Sequence, residues 1–378
     1  MFLRFFLYRS WLFCGLLAVF TLSGCTPASV GTGDRFFWPL PLDGVEPKVE
    51  YIGFWQMDKD LRNSAQASWF EGVVLGEYPA VALFKSPFWV TFLSGESVAV
   101  SDTALRQVLI LDLKNIEVDS LKDEDGSPYP FSLPMGVASS GSGETFVVDA
   151  LSGSLLRFGA DNILIEAYDE LSLLGHPVGI AVDDHAKKVY VTDVVEHNIA
   201  VFDLRGNLLY KIGEPGVLAG QFNFPTDVDL DEAGNIYVLD TLNFRVQVLD
   251  KSGRFVREFG EQGTELGSFR LPKGLAVSPL GQVYVSDVLS HKIVVFDYQG
   301  RYLLTLGDKS YALSSGKTVP GGFFAPRGIA TDATGRILVV DGMNKMIQRF
   351  QYLTEDYLKA RPILKDDIYL PPVYRSLQ

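Results

Sequence analysis

Residues 225–260 read PTDVDLDEAGNIYVLDTLNFRVQVLDKSGRFVREFG. The stretch divides into four short strands. Thr226–Asp231 alternates apolar with polar, Ile236–Asp240 is a β-branched and aromatic run, and Arg245–Asp250 and Phe255–Phe259 alternate again. Turn residues separate them: Ala233-Gly234-Asn235, Thr241–Asn243 and Lys251-Ser252-Gly253. Strands of this length with Gly, Asn and Asp between them make an antiparallel meander.

The meander recurs. A Pro-x-Gly-hydrophobic-Ala signature appears at Pro134–Ala138, Pro177–Ala181, Pro272–Ala276 and Pro326–Ala330. The copy at Pro225 has Asp227 in place of Gly and Asp229 in place of Ala, and Pro87–Thr91 is a degenerate copy. An aspartate closes the second strand of each copy, at Asp102, Asp149, Asp193, Asp240, Asp287 and Asp341, with spacings of 47, 44, 47, 47 and 54 residues. Six four-stranded units at this period predict an all-β, six-bladed β-propeller of antiparallel blades. One such sheet cannot bury both faces alone, whereas a ring packs each blade on the next. Lys48–Trp55 alternates like the fourth strands Asn207–Gly213 and Arg254–Gly260, while the sixth copy has three clear strands ending near Gln351. The N-terminal strand is therefore expected to complete the sixth blade and remove a free edge. The alternative is closure by residues 363–374.

The run Gly234–Asp250, with Val189–Asp203 and Val283–Asp297, resembles the NHL repeat, and the resemblance extends over about residues 87–352. It implies architecture. It does not choose between binder and enzyme, because this fold hosts both.

The chain has 378 residues and a formal net charge of −13. That balance disfavours nonspecific binding to nucleic acid or anionic headgroups. Residues 1–24 read as a signal peptide: Arg4 and Arg9 precede the apolar stretch Trp11–Leu22, which is short for a membrane span. Leu22-Ser23-Gly24-Cys25 resembles a bacterial lipobox, which implies cleavage before Cys25 and acylation of that residue. Each buried methylene adds roughly 0.8 kcal/mol of anchoring. Thr26 follows the cysteine, and the lack of Asp there implies outer-membrane sorting in a Gram-negative cell. Cys14 lies in the signal, so the mature chain offers no disulfide, Cys-based zinc or iron–sulfur site, and no c-type haem site.

The expected domains are the signal at 1–24, a lipid-anchored tether at 25–47, the propeller at 48–352 and a helix plus extended tail at 353–378. The aromatic cluster Phe36-Phe37-Trp38 is expected to pack on the rim of the ring. An insertion at 56–86, with a short helix within Asp58–Phe70, and a long connection at Gly307–Phe323 both lead from a fourth strand into a first strand. Together with Gly213–Phe224 and Gly260–Leu271 they emerge on one face, the expected interaction face.

Candidate chemical residues are few. His197 and His291 share a repeat phase, four residues after Asp193 and Asp287. Some lyases of this propeller class use His-ligated zinc, but these two histidines fall in blades 3 and 5, and NHL repeats often carry His at this turn. The six strand-ending aspartates read as acceptors for backbone N–H groups. Asp227 and Asp229 break the pattern on the strand nearest the channel and are the candidate ligands for a cation or polar molecule, calcium included. No G-x-S-x-G, H-E-x-x-H, P-loop or dinucleotide motif is present in context. The expectation is a noncatalytic envelope scaffold without a cofactor, binding an envelope protein or surface polymer. The alternative is a divalent-cation-dependent hydrolase or lyase, or a small-ligand sensor, using the channel.

Overall fold

The computed structural model describes residues 35–39, 45–62, 81–168, 174–307, 320–364 and 367–368. Two strands precede the repeats, β1 (Phe36–Trp38) and β2 (Val49–Trp55), followed by a short helix α1 (Asp58–Arg62). Blade 1 is β3 (Pro87–Phe92), β4 (Ser97–Asp102), β5 (Gln107–Asp112) and β6 (Glu117–Ser120). Blade 2 is β7 (Pro134–Ser139), β8 (Thr145–Asp149), β9 (Ser154–Phe158) and β10 (Leu164–Tyr168). Blade 3 is β11 (Pro177–Asp183), β12 (Lys188–Asp193), β13 (Asn198–Asp203) and β14 (Leu208–Ile212). Blade 4 is β15 (Pro225–Leu230), β16 (Ile236–Asp240), β17 (Arg245–Leu249) and β18 (Phe255–Phe259). Blade 5 is β19 (Pro272–Val277), β20 (Gln282–Asp287), β21 (Lys292–Asp297) and β22 (Tyr302–Leu306). Blade 6 holds β23 (Pro326–Thr331), β24 (Arg336–Asp341) and β25 (Met346–Tyr352), and a helix α2 (Glu355–Ala360) follows.

Each of blades 1 to 5 is a four-stranded antiparallel meander, and the sixth sheet runs β1-β2-β25-β24-β23. The N-terminal closure expected from the sequence is present. Val49 pairs with Tyr352 and Trp55 with Ile347. The sheet also starts earlier than residue 48, because Phe36–Trp38 pairs with Val49–Tyr51. A buried ion pair holds this junction: the Arg35 guanidinium meets both oxygens of Glu50 at 2.7 Å, and the Tyr357 hydroxyl donates to Glu50 at 2.9 Å. Bidentate geometry of this kind is what allows a carboxylate to be buried. The Arg35 amide also donates to the Asp367 carbonyl. Both ends of the propeller are thus laced to one outer edge. The aromatic cluster packs as expected: Phe37 is buried, and Trp38 sits edge-on to Phe350 at 5.7 Å. Of the two long connections, residues 63–80 and 308–319 lie outside the described residues.

Within a blade, the two middle strands are the most buried and the outer strand the least. The middle strands β16 and β17 are buried at every residue, flanked by neighbouring blades on both faces, whereas β18 is exposed along most of its length. Turns follow local chemistry. Asp231 accepts the amides of Ala233 and Asn235 and Gly234 takes φ +80°, closing the first hairpin of blade 4.

The inner strands meet around the channel, β3 to β7 and onward to β23, which returns to β3. Glycine at the third position of the Pro-x-Gly signature permits this approach. A Cβ on Gly179 would lie 2.6 Å from the Asp227 Cα of the next blade, and Gly136 and Gly328 face neighbouring backbone equally closely. Backbone cannot yield as a flexible side chain can, so Gly179→Ala should cost about 1–3 kcal/mol by overpacking. The check is the urea midpoint at unchanged m-value. An unshifted midpoint would mean that the seam between blades 3 and 4 is looser than its geometry.

Candidate functional site

The first strands enclose a central cavity of about 160 Å³. The fifth residue of each copy contributes to its wall: Thr91, Ala138, Ala181, Asp229, Ala276 and Ala330. At this position the residue is Ala except in blade 1 and blade 4, and Ser139 and Thr331 add polar side chains to the wall. The two carboxylates of blade 4 do not stand free. Asp227 is buried, and its carboxylate accepts the Leu275 amide at 2.6 Å and the Val228 amide at 2.7 Å. Asp229 accepts the Val277 amide at 2.7 Å and the Leu230 amide at 2.8 Å. Leu275 and Val277 lie on β19, whose far edge pairs with β20 and whose near edge faces blade 4. Carboxylates two residues apart on one strand match the spacing of alternate N–H groups on the next. Asp227 and Asp229 therefore serve as a side-chain substitute for strand pairing across the blade 4–blade 5 seam.

Burial pushes both carboxyls above the usual carboxylate range, against the pull of the N–H bonds. Asp227 is well above it, with the charge of Asp229 as a further cause, and Asp229 rises to about 6. Among the described residues no group of three His, Cys, Asp or Glu side chains converges as metal ligands would.

The two histidines are not brought together. His197 (φ +53°) accepts the Phe224 amide on Nδ1 at 3.1 Å, and His291 (φ +55°) accepts the Ala325 amide at 3.1 Å. Each imidazole ties its own blade to the connection entering the next, so Nδ1 is spent on structure. Arg106 does the same from blade 1, donating from Nε to the Phe131 carbonyl. The strand-ending aspartates also hold backbone. Asp193 accepts the amides of Gly175 and His176, which lead into β11, and those of Val195 and Glu196 in the following turn. Cys25 lies outside the described residues.

The sequence reading missed a surface feature. Pairing of Pro225 with Asp240 and of Pro272 with Asp287 puts the strand 2–3 turns on the same face as the connections into the first strands. Two residues after each aspartate, that face exposes Leu151, Val195, Leu242, Leu289 and Met343, from 42% to 72% accessible. Blade 1 has exposed Ala104 at this phase. Val217, Leu218 and Leu266 stand exposed on the adjacent connections. The signal was present in the repeat alignment as an apolar residue where a turn calls for a polar one.

Stability should carry the mark of the buried carboxyls. Folded Asp229 keeps its proton to about pH 6 while an unfolded aspartate loses it near pH 4, so the folded state binds more protons between these values. Stability then falls as pH rises from about 4 to about 6. Asp341, also pushed up to about 6 by burial, adds to the decline. Asp229→Asn should flatten part of this decline in urea midpoints taken at pH 4 and pH 6.5. An undiminished decline would assign it to other groups.

Two family models match parts of the chain: a 6-bladed beta-propeller over residues 163–243 and the NHL repeat over residues 269–296. No curated protein matches. Among solved structures, virginiamycin B lyase from Staphylococcus aureus is 13% identical with a TM-score of 0.52, over 71% of this chain and 95% of that one. Hydrazine synthase from Kuenenia stuttgartiensis is 13% identical with a TM-score of 0.51, over 75% and 99%. An auxiliary nutrient binding protein from Bacteroides thetaiotaomicron is 14% identical with a TM-score of 0.54, over 72% and 70%. At these identities the likeness extends to the fold alone. With both family models falling on its repeats and six blades closed into a ring, the chain is a six-bladed β-propeller in which residues 269–296 match the NHL repeat.

Proposed function

We propose that this chain is a lipid-anchored envelope protein, held through Cys25, whose propeller is a noncatalytic scaffold for a partner protein. The observation that carries the binding reading is the apolar ring on one face, Leu151, Val195, Leu242, Leu289 and Met343. One exposed apolar side chain on each of blades 2 to 6, all on the same face, favours a protein contact surface there. Such a ring suits a protein better than a hydrated surface polymer. The lipobox-like Leu22–Cys25 supports the anchor, and Thr26 supports outer-membrane placement in a Gram-negative cell. The acidic balance weighs against nucleic acid.

The alternative, a cation-dependent hydrolase or lyase or a sensor in the channel, needs free ligands there. Occupation of Asp227 and Asp229 by four backbone amides weighs against it. Stoichiometric calcium in the purified chain, lost in Asp227→Ala/Asp229→Ala, would put that alternative first.

A photo-crosslinking residue at Leu242 should capture a discrete envelope partner, and one at Val256 on the outer strand β18 should not. Leu289→Asp should abolish the Leu242 crosslink. Equal labelling from both positions would sink the scaffold reading. Independently, Cys25→Ser should move the protein from the membrane to the soluble fraction; a protein that stays in the membrane is not anchored there.

A further inference from the structure

The second residue of each inner strand stands at the channel end where the connections into those strands arrive. In blades 1 to 4 it is Phe88, Met135, Val178 and Thr226. In blades 5 and 6 it is Lys273 and Arg327. Neither cation has a carboxylate partner among the described residues. Lys273 Nζ lies over the Phe224 ring at 5.4 Å, and the Arg327 guanidinium lies over the Phe88 ring at 4.8 Å. Phe88 is itself stacked on Trp89, with centroids 6.3 Å apart and planes at 18°. Both cations are half-buried.

This arrangement is costly for the isolated protein. Burial lowers the proton affinity of both side chains, and the charge of Arg327 lowers that of Lys273 further. Two adjacent desolvated cations gain from ring faces only part of what an anion would give. The chain carries 46 acidic side chains against 33 basic ones, so a carboxylate was the commoner choice for a neighbouring position. Two other buried cations are paired, Arg35 with Glu50 and Arg245 with Asp240. Arg349, by contrast, lies over the Trp55 ring at 4.7 Å without a carboxylate partner among the described residues. Lys273 and Arg327 differ from it in standing side by side at the channel end.

We propose that Lys273 and Arg327 form a carboxylate-binding site at one mouth of the central channel. The guanidinium fork and the ammonium together suit a planar oxyanion, and Phe88 and Phe224 accept an apolar body attached to it. The same chemistry comes from a free organic acid or from an acidic side chain of the partner, planted inside the apolar ring. The site deepens the binding reading, and rests on it only for the second of these sources.

The test is calorimetry on the full chain in detergent with three probes: 3-phenylpropionate, inorganic phosphate, and an amidated peptide bearing one Glu between Leu and Phe. At least one carboxylate probe should bind. Lys273→Met and Arg327→Met should each weaken it about tenfold or more, as loss of a charge-assisted contact does. The same variants should melt higher than the parent, because each removes a desolvated, repelled charge; this separates loss of the site from loss of the fold. Binding of the free acid alone assigns the site to a small molecule, and binding of the peptide in competition with it assigns the site to a partner. No carboxylate binding, binding indifferent to both variants, or tighter binding of phosphate would overturn the proposal. A Leu242 crosslink that survives in both variants would leave the scaffold reading standing and overturn only the partner as source of the carboxylate.

Discussion

A buried carboxylate at the end of each second strand is the contact on which the rest of this propeller depends. In every blade it accepts amide protons from the connection entering the inner strand, as Asp102 does from Lys85 and Ser86 and Asp287 from Arg270 and Leu271. It thereby fixes where the inner strand begins relative to the second. Because inner strands touch through glycine backbone, that starting point also sets how one blade approaches the next. In blades 4 and 6 the tie is reinforced: Asn243 and Gln247 donate to Asp240, and Asn344 and Gln348 donate to Asp341. Both glutamines also donate to a carbonyl of the incoming connection, Gln221 and Gly322 respectively. Carboxylates so enclosed are poor candidates for chemistry, since every lone pair turned toward a neighbour is already used.

Most of the fold was legible because it repeats. A strand-ending Asp, a Pro-x-Gly start and a turn glycine recur in register, and each has a local physical reason that a single sequence exposes. Ring closure by Val49–Trp55 was legible for the complementary reason, that the sixth copy was one strand short. The role of Asp227 and Asp229 was not. Their partners, the amides of Leu275 and Val277, lie 48 residues away along the chain and carry no side-chain signature. An aspartate where a repeat has glycine reads as an added ligand until the neighbouring backbone edge is seen beside it. The start of the sheet at Phe36 was hidden similarly, because a three-residue strand has no period, and what holds it is Arg35 reaching Glu50.

The exposed apolar side chains of one face and the basic pair are written in the sequence at positions that vary from copy to copy. Repeat alignment directs attention to positions that are constant across copies, where the fold states its own requirements. Leu151, Val195, Leu242, Leu289 and Met343 occupy a turn position that the blade does not constrain. Lys273 and Arg327 occupy the x of Pro-x-Gly. Variation there is silent about architecture, so what stands there is free to answer to something outside the chain.

The two kinds of buried charge in the inner strands then sort by whether the fold satisfies them. Asp227 and Asp229 meet amide donors on both sides and close a seam, although burial still disfavours their charged form. Lys273 and Arg327, half-buried in the next two blades, lie over ring faces and have no carboxylate partner among the described residues. A satisfied charge stabilises a geometry, whereas an unsatisfied one raises the free energy of the empty protein and lowers it again when an anion arrives. Against a net charge of −13, a positive pair at the channel mouth is a local departure from the acidic balance of the chain.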